Sequence, residues 1–156
     1  MKADSKTETE VKAVLNQLAE SYATRDMNRL LALCAPDPDH VMYGTGADEK
    51  RIGLAEIKAQ AERDWSQTES SAIAYTWTSV SSAGQVAWAA ADAEFSFKVA
   101  GQEMSLPARL TAVFEKRGDR WLIVQSHFSF PAAGQAEGES VPRNEDLTRS
   151  QPEIAK

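Results

Sequence analysis

Val11, Val14, Leu15, Leu18 and Tyr22 recur at the three- and four-residue spacing of one amphipathic stripe, which predicts a first helix over about Thr7 to Thr24. Thr7 with Glu10 fits a capping box ahead of the stripe, and Ser5 with Glu8 is a rival start one turn earlier. Asp26 then reads as a second N-cap, and Met27, Leu30, Leu31 and Cys34 keep helical spacing until Pro36 and Pro38 stop it. His40 to Tyr43 reads as a strand, with a turn at Gly44 and Gly46 and a short return through Asp48 to Arg51. Leu54, Ile57, Ala61 and Trp65 mark one face of a third helix ending near Trp65, with Glu56, Lys58, Glu62 and Arg63 outside.

From Ser70 to Phe130 the pattern changes to β-branched and aromatic runs, broken at Ala83-Gly84, Ala100-Gly101 and Gly118-Asp119. Four long strands in an antiparallel meander follow, long enough that the sheet should coil strongly. In the second of them Val86, Trp88 and Ala90 lie on one parity and Phe95, Phe97 and Val99 on the other, which predicts a β-bulge between Ala91 and Glu94. Plain alternation in the last strand groups Trp121, Ile123, Gln125, His127 and Ser129 on one face and Leu122, Val124, Ser126, Phe128 and Phe130 on the other. Both faces are substantially apolar, so the strand is expected to be covered on each side, which favours a homodimer. After Pro131 the chain has no aromatic residue and is rich in Gly, Glu, Ser and Pro, so residues 132–156 read as a flexible polar tail on a domain of residues 1–131.

Composition narrows the functional classes. With 42% apolar and 26% charged residues, the chain is neither disordered nor fibrous. Its net charge of −6 leaves no basic footprint for nucleic acid or anionic lipid. A polar, acid-containing start and the absence of a long apolar run predict neither a membrane span nor secretion, and a single cysteine, Cys34, fits a reducing cytoplasm.

The element order, together with "RDMNRLLAL", "RIGLAEIKAQAERDW" and "RLTAVFEKRGDRWLIVQSHFSFP", resembles the nuclear transport factor 2-like superfamily over about residues 7 to 131, and most closely its SnoaL-like group near the calmodulin-dependent kinase association domain. The resemblance implies an α+β, cystatin-like fold: a cone-shaped curved antiparallel sheet whose concave face and three helices enclose an apolar pocket, with a dimer partner on the convex face. It also implies that an arginine at the Arg109 position points into the pocket. Three functions are open under it: a small-molecule-binding protein, an enzyme of the ketosteroid isomerase, polyketide cyclase or dehydratase type, and an association module.

Arg109 interrupts an apolar strand, where a guanidinium needs an anionic ligand or a structural pair with Asp92 or Glu94. His127, in "SHFS", is the candidate proton carrier because imidazole titrates near neutrality, although a lone histidine in a sheet is more often structural. Tyr43, Ser129, Trp65, Trp121 and Tyr22 complete the candidate ligand set, with core packing the competing reading for Trp121 and Tyr22. Cation plus aromatics suggests an anionic or carboxylated ligand with an apolar body. Ketosteroid isomerase chemistry itself is disfavoured: the positions of its base, its tyrosine and its second carboxyl fall near Tyr43, near Leu18 and in the acid-free stretch Pro107 to Leu110. Asp92 and Glu94 are expected to face solvent. His40 with Asp37 and Asp39 matches no known loop order for a metal, and the Gly44-Thr45-Gly46 turn lacks the Lys-Ser/Thr of a phosphate loop, so neither a metal nor another cofactor is expected. Cys34 reads as inert packing.

Overall fold

The computed structural model describes residues 1–142, so the tail expected over 132–156 lies partly outside the described residues. Helix α1 spans Ser5–Thr24 and starts earlier than the capping box suggested, because Asp4 is the cap: its carboxylate accepts from the backbone N–H of Lys6 and Thr7, each at 3.0 Å. Helix α2, Met27–Ala32, is capped by Asp26 as expected. Strands β1 (Val41–Tyr43) and β2 (Lys50–Ile52) form a short hairpin, and helix α3 runs over Gly53–Gln67. The meander is β3 (Ser70–Ala83), β4 (Val86–Val99), β5 (Gln102–Arg117) and β6 (Arg120–Ser129).

These strands form one curved, unclosed sheet in the order β2-β1-β6-β5-β4-β3, a cone-shaped α+β architecture with helices over its inner face. It is antiparallel throughout except where β1 lies parallel to β6. Met1 to Ala3 add a few bonds along the outer edge of β3 (Ala3 N–H to the Val80 carbonyl at 3.2 Å), which covers an otherwise open edge. At the far end Arg25, in the left-handed conformation (φ 55°), caps α1 and donates to the carbonyls of Trp65 (2.8 Å) and Thr68 (2.5 Å), tying α1 to the end of α3.

One face of the sheet packs on α1. Ala87, Ala89, Ala91 and Ala93 are all buried, and the first three, with Leu110, Ala112, Phe114, Trp121 and Ile123, form one core with Val11, Val14, Leu15 and Leu18 of the helix. The small side chains let the helix approach closely. This corrects the expected bulge. Strand β4 pairs with β5 without interruption from Val86↔Glu115 to Val99↔Gln102, so Phe95 and Phe97 continue the face of the alanines, while Val86 and Trp88 belong to the outer face. The irregularity sits at the same height on the neighbouring strand, where Thr76 is inserted between Tyr75 and Trp77. Both faces of β4 carry apolar residues, and that two-sidedness mimics a change of phase on one face.

A second irregularity falls in β6. Phe114 pairs with Ile123 but Val113 pairs with Gln125, leaving Val124 as an extra residue. Trp121 and Ile123 therefore share the inner face with Ser126 and Phe128, and Gln125, His127 and Ser129 turn outward. Among the described residues no helix is long and apolar enough to cross a membrane.

Candidate functional site

The core is solid beneath the N-terminal half of α1 and hollow beyond it, where a cavity of about 560 Å³ lies between the sheet and the helices. Its floor is Ile73, Phe95, Phe97, Ala108, Phe128 and Phe130, with Leu18, Leu30 and Ile57 from the three helices opposite. Phe95 stands 5.5 Å from Phe97 and 6.2 Å from Phe130, ring centre to ring centre, and these aromatics form an apolar wall toward the tips of the hairpins.

One end of the cavity is polar. Gln60 and Asp64 fall on the inward stripe of α3, because they follow Ile57 and Ala61 at helical spacing. The Gln60 side-chain N–H₂ group bridges two carboxylates, donating to Asp64 Oδ1 at 2.7 Å and to Glu49 Oε1 at 3.1 Å, and the Tyr22 hydroxyl donates to Asp64 Oδ2 at 3.2 Å. Glu49 is held from behind by Arg63 (2.7 Å) and by the backbone N–H of Gly46 (2.7 Å). The Gly44-Thr45-Gly46 turn thus cradles this chain's own carboxylate. A Cβ at Gly44 would stand 2.9 Å from Glu49 Cβ as well as against its carboxylate, so the close approach favours glycine there.

Burial acts on these groups in opposite senses. Asp64 is pushed above the ordinary aspartate range by desolvation, and the nearby Glu49 charge adds to the effect, while the bonds from Gln60 and Tyr22 only partly offset it. Burial and the Asp64 charge likewise raise Tyr22, keeping the phenol neutral. Cys34, on the cavity wall, is pushed up to about 12 by burial and is an unreactive thiol. His40, also on the wall, is lowered by burial, with Asp37 and Asp39 opposing. Its ring accepts a fixed orientation: Nδ1 lies 3.2 Å from the Ala35 carbonyl, which can only accept, so Nδ1 carries the proton. Its backbone is fixed as well, since the His40 carbonyl accepts from Gly53 N–H at 2.8 Å.

Of the residues expected to line the pocket, only Tyr22 does so. Arg109, His127, Ser129 and Tyr43 are brought together, but on the outer face: Arg109 pairs in register with Ser129 and Asp92, and Tyr43 pairs with His127, their rings 5.5 Å apart. Arg109, His127 and Tyr43 are exposed there. The inserted Val124 is the physical reason for His127 and Ser129, because it reverses the parity of everything after it in β6, while Arg109 turns outward by plain alternation with the buried Ala108 and Leu110 of β5. Trp65 packs edge-on against Tyr22 at 5.8 Å behind the wall, and Trp121 is a core residue whose indole N–H donates to Glu10 at 2.8 Å. Asp92 and Glu94 are exposed on the outer face. Asp37 is engaged by Arg117, and among the described residues no group of three or more His, Cys, Asp or Glu side chains could hold a metal ion.

Residues 11–133 match the model of the SnoaL-like domain, and the chain belongs to that family. Solved structures with the same fold include a nuclear transport factor 2-like superfamily protein from Salmonella enterica serovar Typhimurium (21% identity, 89% of this chain and 100% of the other, TM-score 0.77). A candidate dehydratase of the nuclear transport factor 2-like family from Streptomyces avermitilis is 17% identical (83% and 100% covered, TM-score 0.76). A candidate calcium/calmodulin dependent protein kinase II association domain from Xanthomonas campestris is 25% identical (80% and 87% covered, TM-score 0.71). No curated protein matches.

The carboxylates can be told apart by titration. Asp64 is raised, so its contribution to stability is complete below the unfolded value of 3.8 and is lost as pH rises through its folded value. Asp37 and Asp48, bonded to Arg117 and Arg63, are lowered, so theirs is present above 3.8 and is lost as pH falls through their folded values. Carboxyl ¹³C NMR on acidification is expected to show Asp64 taking its proton before either; Asp64 titrating with or after them contradicts the burial argument.

Proposed function

We propose that the chain is a small-molecule-binding protein whose ligand occupies the cavity, its apolar body against Phe95, Phe97 and Phe128 and its polar end toward the Tyr22, Asp64, Gln60 and Glu49 group. The observation that carries this reading is a 560 Å³ space with apolar walls and convergent polar groups at one end, the usual form of a ligand site. The sign of the ligand differs from the first expectation. Arg109, the basis for expecting an anionic ligand, lies outside, and the charged side chains bordering the cavity are the carboxylates of Glu49 and Asp64. A neutral ligand that donates hydrogen bonds suits those acceptors better.

A second reading, proton transfer on the bound molecule as in dehydratases and isomerases, is favoured by Asp64 alone: it is a cavity carboxyl that burial raises above the ordinary aspartate range, and it is bonded to a neutral phenol. Under either reading the outer face suits a second copy of this chain. Trp77 (55% exposed), Val86 and Tyr43 stand on that uncovered face, and the neighbouring Arg109 and Asp92 supply charges of both signs for reciprocal pairing across a two-fold axis.

Naphthalene tests the cavity. At about 100 times its Kd it should stabilise the fold by about 2.7 kcal/mol. Ala108→Trp, which fills the space from β5, should stay folded and lose that stabilisation; an undiminished response in the variant would place the binding elsewhere. Trp77→Glu should convert a dimer to a monomer in sedimentation equilibrium while naphthalene still binds, and a wild-type chain that sediments as a monomer at high concentration rules the dimer out.

A further inference from the structure

Two side chains on the cavity wall carry a polar atom that has no partner among the described residues. His40 is 2% exposed and Ser126 is 7% exposed, and both border the cavity. His40 Nδ1–H is spent on the Ala35 carbonyl, which leaves Nε2 as a bare acceptor with its lone pair in the ring plane. Neither Nε2 nor the Ser126 hydroxyl bonds to any described residue. Yet neither is among the polar atoms sealed off by protein, which are Gln60 Oε1, Trp65 Nε1, Ser71 Oγ and Tyr75 Oη. Both atoms therefore keep contact with open space, and the space these two buried residues share is the cavity. They are also neighbours in the fold: Ser126 pairs in register with Met42, a cavity residue two positions along from His40.

A buried acceptor and a buried donor left without partners are costly in a dry interior, so a wall that keeps both is built for a group that satisfies both. We infer that His40 and Ser126 form a subsite for a hydroxyl group on the ligand, whose O–H donates to His40 Nε2 while its oxygen accepts from the Ser126 hydroxyl. The pairing selects an alcohol, phenol or enol over a carboxylate, because a carboxylate oxygen would face the Nε2 lone pair. The inference rests on the cavity being the ligand site and adds the class of ligand. His40 is fixed by its own backbone bonds at both ends, the N–H to the Asp37 carbonyl at 3.2 Å and the carbonyl to Gly53 N–H at 2.8 Å, so the acceptor is presented in one orientation.

The test compares 2-naphthol with naphthalene, which share an apolar body and differ by one hydroxyl. Calorimetry on the full chain should give 2-naphthol an advantage of about tenfold, the worth of one or two hydrogen bonds. Ser126→Ala, a small change that the fold tolerates, should cut the advantage about threefold or more and leave naphthalene unchanged; His40→Asn should do the same. In ¹⁵N-histidine NMR, 2-naphthol should move the His40 Nε2 resonance and naphthalene should not. Equal affinities for the two probes, or an advantage that survives Ser126→Ala together with an unmoved Nε2 resonance, overturns the subsite and leaves the cavity reading intact. Binding of neither probe overturns both.

Discussion

The inserted residue at Val124 governs what this protein presents to its interior. Before it, β6 bonds along its edge to the segment after α2: Ile123 N–H donates to the Leu33 carbonyl, and the Ile123 carbonyl accepts from Ala35 N–H, each at 2.8 Å. After it, the same edge is taken over by β1, with Gln125 to His127 parallel to Val41 to Tyr43. One residue unpaired in the β5 ladder at the handover reverses the alternation of side chains. Ile123, Ser126 and Phe128 are thereby kept on the inner face, and His127 and Ser129 are turned outward beside Arg109, which plain alternation in β5 already places there.

The sheet then serves two purposes along its length. Where alanines face α1, helix and sheet meet closely and the core is filled by Leu15, Leu110 and Phe114. Where Phe95, Phe97, Phe128 and Phe130 replace them, the layers part, and the rings line a chamber that they do not fill. Helix α3 closes this end and supplies Gln60 and Asp64, while the β1–β2 turn brings Glu49. The polar end is held by bonds within the wall: Arg63 neutralises Glu49, Gln60 bridges the two carboxylates, and Tyr22 caps the second. His40 and Ser126 differ because their unpartnered atoms still reach open space, whereas the unpartnered Gln60 Oε1 is sealed off by protein. That difference separates the groups that shape the chamber from those suited to recognising its contents.

Periodicity located every helix and strand of the meander, because amphipathic stripes and alternating runs are direct consequences of burial. Asp4 and Thr7 offer the same capping chemistry within one turn, so the residue pattern alone does not say which of them starts α1. Signals for the rest were present but ambiguous. Trp121 and Ile123 against Phe128 and Phe130 show an apolar parity change in β6, yet a strand covered on both faces gives the same pattern, so the inserted residue could not be distinguished from two-sided burial. Gln60 and Asp64 sit on the apolar stripe of α3, three and seven residues after Ile57, and their inward direction could have been read from that spacing. His40 could not: its burial depends on a turn through Pro36 and Pro38 that folds it against Ala35, a tertiary contact that no local pattern encodes.

The central claim is that the chamber itself takes the ligand. Its most direct measurement is a set of intermolecular nuclear Overhauser effects from bound naphthalene to the methyl groups of assigned protein. Contacts are expected to Leu18, Ile57 and Ile123, one from each of α1, α3 and β6. Contacts confined to Val86 and Val113, on the opposite face of the sheet, would contradict it.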